Sequence, residues 1–166
     1  GLVFQNLRNY KKAIENYKRA IKNKSDYAEA HNNLGVALQS LDKLAEAADC
    51  FKKAIEIKHD YSESYNNLGN IFIMLNKIEE AVKIYQKAIK IKSDYFEAHS
   101  NLGAALDKLG KFEESITHYQ EAIKINPDFE KANNNLAASF VAQGRFDEAI
   151  SFYNKALKLK DRKSVV

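Results

Sequence analysis

Apolar residues along this chain recur at helical spacing, in pairs of stretches. Leu34, Ala37, Leu38 and Leu41 form one stripe, and Ala47, Ala48, Phe51, Ala54 and Ile55 form the next. Steps of three and four put each set on one face of a helix, so each stretch predicts an amphipathic helix. The pattern then returns. A shift of 34 residues aligns Leu34, Leu68, Leu102 and Leu136, then Gly35, Gly69, Gly103 and Ala137, then Phe51, Tyr85, Tyr119 and Tyr153. The same shift aligns Ala54, Ala88, Ala122 and Ala156.

The frame predicts one array over residues 1–166: four full units at 28–61, 62–95, 96–129 and 130–163, and a tail at 164–166. Residues 1–27 align with the later part of a fifth unit whose first seven positions are absent, so the chain is expected to start inside a first helix, and either the native array is longer or its ends pair between molecules. Each unit reads as two helices. Between them stand Asp42, Asn76, Gly110 and Gly144, residues that tolerate a left-handed cap, followed by Lys43, Lys77, Lys111 and Arg145 near the carbonyl end. At the other boundary Asp26, Asp60 and Asp94 are expected to cap the next helix, with Glu29, Glu63 and Glu97 three residues on, as in a capping box. Pro127 reads as a helix stop. A mid-helix glycine costs about 1 kcal/mol relative to alanine, so Gly35, Gly69 and Gly103 require a packing reason, which close approach of paired helices supplies.

The 34-residue frame, its Leu-Gly pair, the segments AADCFKKA, AVKIYQKA, SITHYQEA and AISFYNKA, and Pro127 near a unit end resemble the tetratricopeptide repeat family over nearly the whole chain. The column where that family carries an aromatic near the start of each unit holds His31, Tyr65, His99 and Asn133. The resemblance implies an all-α fold: a right-handed α-solenoid of stacked antiparallel helix pairs, first helices lining a concave groove and second helices facing outward.

Composition narrows the function classes. Hydrophobic residues at 45% and charged residues at 29% describe a folded chain. No apolar run spans a bilayer, and residues 1–12 lack a basic start leading into an apolar stretch, so no membrane role is expected. A single Cys50 favours a reducing compartment, hence a cytoplasmic expectation. The net charge of +4 raises the question of nucleic acid. Helical phase puts Lys108 and Lys131 on the groove side against Glu29, Glu63, Glu97 and Asp107, while the lysine excess lies on second helices, as at Lys52, Lys53, Lys83, Lys87, Lys155 and Lys158. That is a solvated face, and no nucleic-acid partner is expected.

Catalytic chemistry is expected to be absent, because a triad needs convergent groups and these polar columns repeat. His31 and His99 share a column two units apart and cannot share a metal; His59 falls at a turn, and His118 on a second helix has no ligand partner at helical spacing. GAALDKLGK at 103–111 has six residues between its glycines where a phosphate loop has four, and no Ser or Thr follows Lys111. Cys50 beside Asp49 reads as a packing residue. No cofactor or metal is expected.

What remains is the polar face of the first helices. Asn33, Asn67, Asn101 and Asn135 recur in one column, and asparagine is a mediocre helix former whose amide seeks partners. One acceptor and two donors per carboxamide suit the C=O and N–H of an extended peptide, so this column predicts a peptide-binding ladder; the alternative is that the amides bond between neighbouring helices. Asn32, Asn66, Asn70, Asn134, Ile73, Met74 and Lys108 complete the candidate contact set, with Asn66, Asn70, Ile73, Met74 and Lys108 as the residues that choose side chains. The ladder resembles that of the repeats of O-linked N-acetylglucosamine transferase, which adds a further possibility: a substrate-recruiting part of a larger glycosyltransferase-like enzyme. Family members that capture a chaperone C-terminal carboxylate use Lys one turn before the groove Asn; here Glu29, Glu63 and Glu97 stand there, which disfavours that partner. A different possibility is a self-assembling scaffold, a homo-oligomer through repeat ends where Ala149, Phe152, Tyr153 and Ala156 are expected to lie uncovered.

Overall fold

The computed structural model describes residues 2–164, with side chains from 9 to 160. Nine helices and no strand occur among the described residues: α1 Leu2–Asn23, α2 Ala28–Gln39, α3 Leu44–Ile57, α4 Ser62–Met74, α5 Ile78–Ile91, α6 Phe96–Lys108, α7 Phe112–Ile125, α8 Glu130–Ala142 and α9 Phe146–Ser164. The first helices of the hairpins start at 28, 62, 96 and 130. Contacts divide the chain into two compact units, one ending at Ile91 and one beginning at Lys92, so α1–α5 form the first and α6–α9 the second. Among the described residues no helix is long and apolar enough to cross a membrane.

The turn inside each hairpin follows from its cap residue. Asp42 and Asn76 adopt φ of 58°, and Gly110 and Gly144 adopt 72° and 74°. Around each runs the bond pair of a Schellman motif. Lys43 N–H donates to Leu38 O at 3.0 Å and Asp42 N–H to Gln39 O at 2.9 Å, with equivalents from Lys77 to Phe72, Lys111 to Leu106 and Arg145 to Phe140. The carbonyls a helix end would orphan are thereby satisfied.

Two sequence expectations are corrected. The N-caps are Tyr27, Tyr61, Tyr95 and Phe129, one residue beyond the acidic column, and none makes a side-chain cap bond. Asp60 and Asp94 sit in the turn, where their carbonyls accept the N–H of Ser62 and Phe96 at 3.1 Å, so no capping box forms. Instead an ammonium covers the cap ring: Lys58 Nζ lies 4.8 Å from the Tyr61 ring centre and Lys92 Nζ 5.0 Å from that of Tyr95. The second correction concerns α1, which runs unbroken across the position that aligns with Asp42. Arg8 stands there, without the left-handed tolerance of Asp, Asn or Gly, and the helix continues.

Cores form where second-helix rings meet first-helix small residues. In the first unit Leu34, Leu38, Ala47, Ala48, Phe51, Leu68 and Ile71 pack together, joined by Ile14, Tyr17 and Ile21 of α1. In the second, Ile116, Tyr119, Leu136, Ala137, Phe140 and Ala149 do the same, with Phe152 against the cluster. The glycine column is the seat of the rings. A Cβ on Gly35 would lie 2.7 Å from the Phe51 ring, on Gly69 2.5 Å from Tyr85, and on Gly103 2.7 Å from Tyr119. No real Cβ sits so close, so each ring rests directly on first-helix backbone. Where the column carries Ala137, the aligned Tyr153 is 42% exposed.

Gly69→Ala is therefore expected to destabilise the protein by about 1 kcal/mol net, because displacing a packed ring costs more than the propensity alanine gains. Denaturant unfolding checks this, and a raised midpoint would show that Tyr85 moves aside.

Candidate functional site

In each unit the candidate surface is the polar face of the first helices. In the first unit Asn33 is exposed on α2 and Asn67 half-buried on α4. They are linked through Asn32: Asn67 Nδ2 donates to Asn32 Oδ1 at 3.1 Å, Ser64 Oγ donates to the same oxygen at 2.9 Å, and Asn32 Nδ2 reaches Asn33 Oδ1 at 3.4 Å. Asn32 is 7% exposed and Asn66 6%, so these two lie inside the packing and not on the open face expected for them. One residue along a helix is a turn of about 100°, which carries position 32 away from position 33 and onto α4. Asn70 is half-buried, and its Oδ1 accepts the Tyr85 hydroxyl at 2.7 Å. Ile73 is half-buried; Met74 is exposed, its sulfur 3.5 Å from Gln39 Nε2.

In the second unit Asn101 and Asn135 are half-buried, as is Asn134, while Lys108 is exposed. Lys131 Nζ donates to Asn101 Oδ1 at 3.0 Å, and the Asn135 carboxamide lies near enough to the Tyr119 phenol to oppose the rise in its pKa. The Tyr119 hydroxyl donates to Asp107 Oδ2 at 2.8 Å. Burial, then the adjoining Asp107 charge, raises the Tyr119 phenol far above its ordinary value, and burial does the same to Tyr85, so both remain neutral donors. By helical phase Asp107 is one acidic groove residue among four, which does not reveal its assembly with Ser115, Tyr119 and Ser139. Asp107 departs from Gln39, Ile73 and Val141, and Ser115 from Ala47, Ala81 and Ala149; these coincident polar departures were the signal that could have found it.

Each rung is thus partly engaged by its surroundings. Among the described residues, Asn33 Nδ2 and Asn67 Oδ1 have no hydrogen-bond partner. Among the described residues no group of three or more His, Cys, Asp or Glu is placed to hold a metal ion.

Comparison with known proteins follows the same period. Models described as tetratricopeptide repeat match residues 28–61, 96–129 and 130–162, and another 50–83; one described as TPR repeat matches 7–42 and 69–110. The chain belongs to the tetratricopeptide repeat family. No curated protein sequence matches it significantly. Among solved structures, a crystal structure of MamA is 26% identical, with a TM-score of 0.83 over 95% of this chain and 92% of that one. TTC0263 of Thermus thermophilus, a thermophilic TPR protein, is 22% identical, with a TM-score of 0.77 over 99% and 94%. YrrB, described as a TPR protein with an unusual peptide-binding site, is 19% identical, with a TM-score of 0.74 over 96% and 82%. The last two show a shared fold.

Within these repeats the histidines are less dispersed than expected. His99 and His118 meet across the α6–α7 hairpin with their Nδ1 atoms 3.2 Å apart. His99 Nε2 lies 3.1 Å from the Ser93 carbonyl, which can only accept, so Nε2 carries the hydrogen and Nδ1 is the acceptor for His118 Nδ1–H. The contact links a first helix to a second, which spacing within one helix could not reveal. His31, in the His99 column, makes the same carbonyl contact, Nε2 to Ser25 O at 3.2 Å, opposite Cys50 in the His118 column. Burial, aided by Asp49 and Glu46 and opposed by Lys18, pushes the Cys50 thiol up to about 11, which suits packing and not nucleophilic attack.

His118 is held below the ordinary value of 6.5 by burial first and His99 second, against Glu114 and Glu121. The folded chain binds this proton less readily than the unfolded chain. The resulting stability is complete above about pH 6.5 and is lost as pH falls from there through the lower folded value. The unfolding midpoint is expected to drop between about pH 7.5 and pH 5.5, and His118→Phe, matching Phe152 in the same column, to remove part of that drop. Identical pH profiles for the two proteins would contradict this.

Proposed function

We propose that this chain is a non-enzymatic protein-interaction module whose first helices hold an extended peptide segment, with Asn33 and Asn67 acting in the first unit and Asn101 and Asn135 in the second. The observation that carries the reading is the state of the first pair. Asn33 retains a donor and Asn67 an acceptor on the exposed side of consecutive first helices. An extended backbone presents C=O and N–H groups in alternation, so a donor rung followed by an acceptor rung matches it without regard to its side chains. Asn70 retains its Nδ2, and with Ile73, Met74, Lys108 and Asn134 supplies contacts that distinguish side chains; Asn32 and Asn66 position these contacts from within the packing. YrrB, with the same fold and a described peptide-binding site, supports the class of ligand.

A second reading, self-association, has its own observation. Ala149 and Ala156, expected to be uncovered, are buried, but Phe146, Ile150, Tyr153 and Leu157 form an exposed stripe on α9 at helical spacing. Light scattering that finds a monomer at high micromolar concentration would remove it.

The peptide reading is tested with peptides selected on the wild-type protein from a random display library. Replacing Asn33, Asn67, Asn101 and Asn135 together by Ala is expected to weaken a selected peptide roughly thirtyfold or more, at about 0.5–1.5 kcal/mol per lost bond. Helicity by circular dichroism should be retained, because Ser64 still satisfies Asn32. Unchanged affinity in a folded variant rejects the ladder.

A further inference from the structure

We propose that Asp107 receives a Lys or Arg side chain of the bound peptide, fixing the register of that peptide on the second unit. The inference rests on the peptide reading above and adds a ligand chemistry that the rungs alone do not specify.

The carboxylate sits on the last turn of α6, half-buried, and is bound by three hydroxyls from two other helices. Ser139 Oγ of α8 lies 2.7 Å from Oδ1 and 2.8 Å from Oδ2, the Tyr119 hydroxyl of α7 donates to Oδ2 at 2.8 Å, and Ser115 Oγ of α7 donates to Oδ1. All three hydroxyl-bearing residues are buried. Three neutral donors fix the rotamer and bring no compensating charge.

Two lysines of the second unit are engaged elsewhere, and the exposed Lys108, next in sequence, makes no ion pair among the described residues. Lys131 is on Asn101 at 3.0 Å, and Lys111 pairs with Glu114 at 3.2 Å. No ion pair among the described residues involves Asp107. An uncompensated, half-buried charge costs solvation free energy that a structural role alone would not require. The same molecule demonstrates this. Ile73 occupies the aligned position in the α4–α5 hairpin, and the ring hydroxyl there is satisfied by the neutral Asn70 at 2.7 Å. Ala37, Ile71 and Ala105 fill the column of Ser139, and Ala47, Ala81 and Ala149 that of Ser115. The fold therefore forms this hairpin without a carboxylate or its serines, and all three polar departures converge on one point.

That point adjoins the ladder, since the Tyr119 hydroxyl that donates to Asp107 at 2.8 Å is also within the influence of the Asn135 carboxamide. A peptide whose backbone meets Asn135 would carry a long basic side chain past an anion already oriented to accept its N–H groups. An acidic residue at the same register would be repelled.

The test uses peptides selected on wild type from the random display library, with affinities measured by fluorescence anisotropy. Peptides are expected to share a Lys or Arg at one register. Asp107→Asn should weaken a selected peptide about tenfold or more, as should replacing its basic residue by glutamine; the two changes combined should cost no more than either alone. Should Asp107→Asn misfold by circular dichroism, Asp107→Ile with Ser115→Ala, Tyr119→Phe and Ser139→Ala installs residues of the types found in the other hairpins and answers the same question. If peptides bind and lose affinity on rung substitution, but show no shared basic residue or no loss with the Asp107 variants, the inference is wrong and the ladder stands. If no peptide is enriched, both readings fall.

Discussion

An aromatic ring of each second helix lies on a glycine of the first, and the rest of the hairpin is arranged around that contact. With no Cβ at positions 35, 69 and 103, the rings of Phe51, Tyr85 and Tyr119 reach first-helix backbone, at distances no side chain could occupy. The contact sets how closely the two helices approach, and so which flanking residues meet. It also makes the hairpin intolerant of the smallest addition, because interiors packed to this density transmit a displaced methyl to their neighbours.

The same seat connects core to surface. Phe51 ends in the packing, whereas the ring atoms of Tyr85 and Tyr119 continue across the glycine into a hydroxyl on the polar side of the first helix. A buried hydroxyl without a partner costs about 1–3 kcal/mol, so each requires an acceptor there. Asn70 and Asp107 fill that requirement at positions one turn apart in the aligned frame, one neutral and one charged. A core substitution that differs by one oxygen atom thus dictates the chemistry of the open face, and two hairpins of one pattern acquire different surfaces.

Regularity decided how much of this was legible. The period, the two helices per unit, and the left-handed caps at Asp42, Asn76, Gly110 and Gly144 could be read because each depends on one residue type in one column. The helix starts could not: Asp at 60 and 94 has the chemistry of a cap, but the turn closes through its carbonyl, and Tyr inherits the cap position under a lysine ammonium. The unbroken α1 shows the same limit, since a break needs its residue and Arg8 is the wrong one. The meeting of His99 with His118, and of Asp107 with Ser115, Tyr119 and Ser139, joins different helices, so it shows in sequence only as departures that coincide when columns are compared across units.

Bonding between helices and bonding to a peptide need not compete for the asparagine column. A carboxamide has two donor hydrogens and two acceptor lone pairs, more than one neighbouring helix can satisfy. Asn67 illustrates the division: its Nδ2 fixes the side chain against Asn32 while its Oδ1 stays outside the bond. An amide anchored at one end has already lost the rotamer freedom that binding would otherwise remove, so the intramolecular bond makes the remaining atom a better acceptor for a ligand. By the same reasoning the three hydroxyls around Asp107 fix a carboxylate without supplying a countercharge, which the basic side chain proposed above would bring.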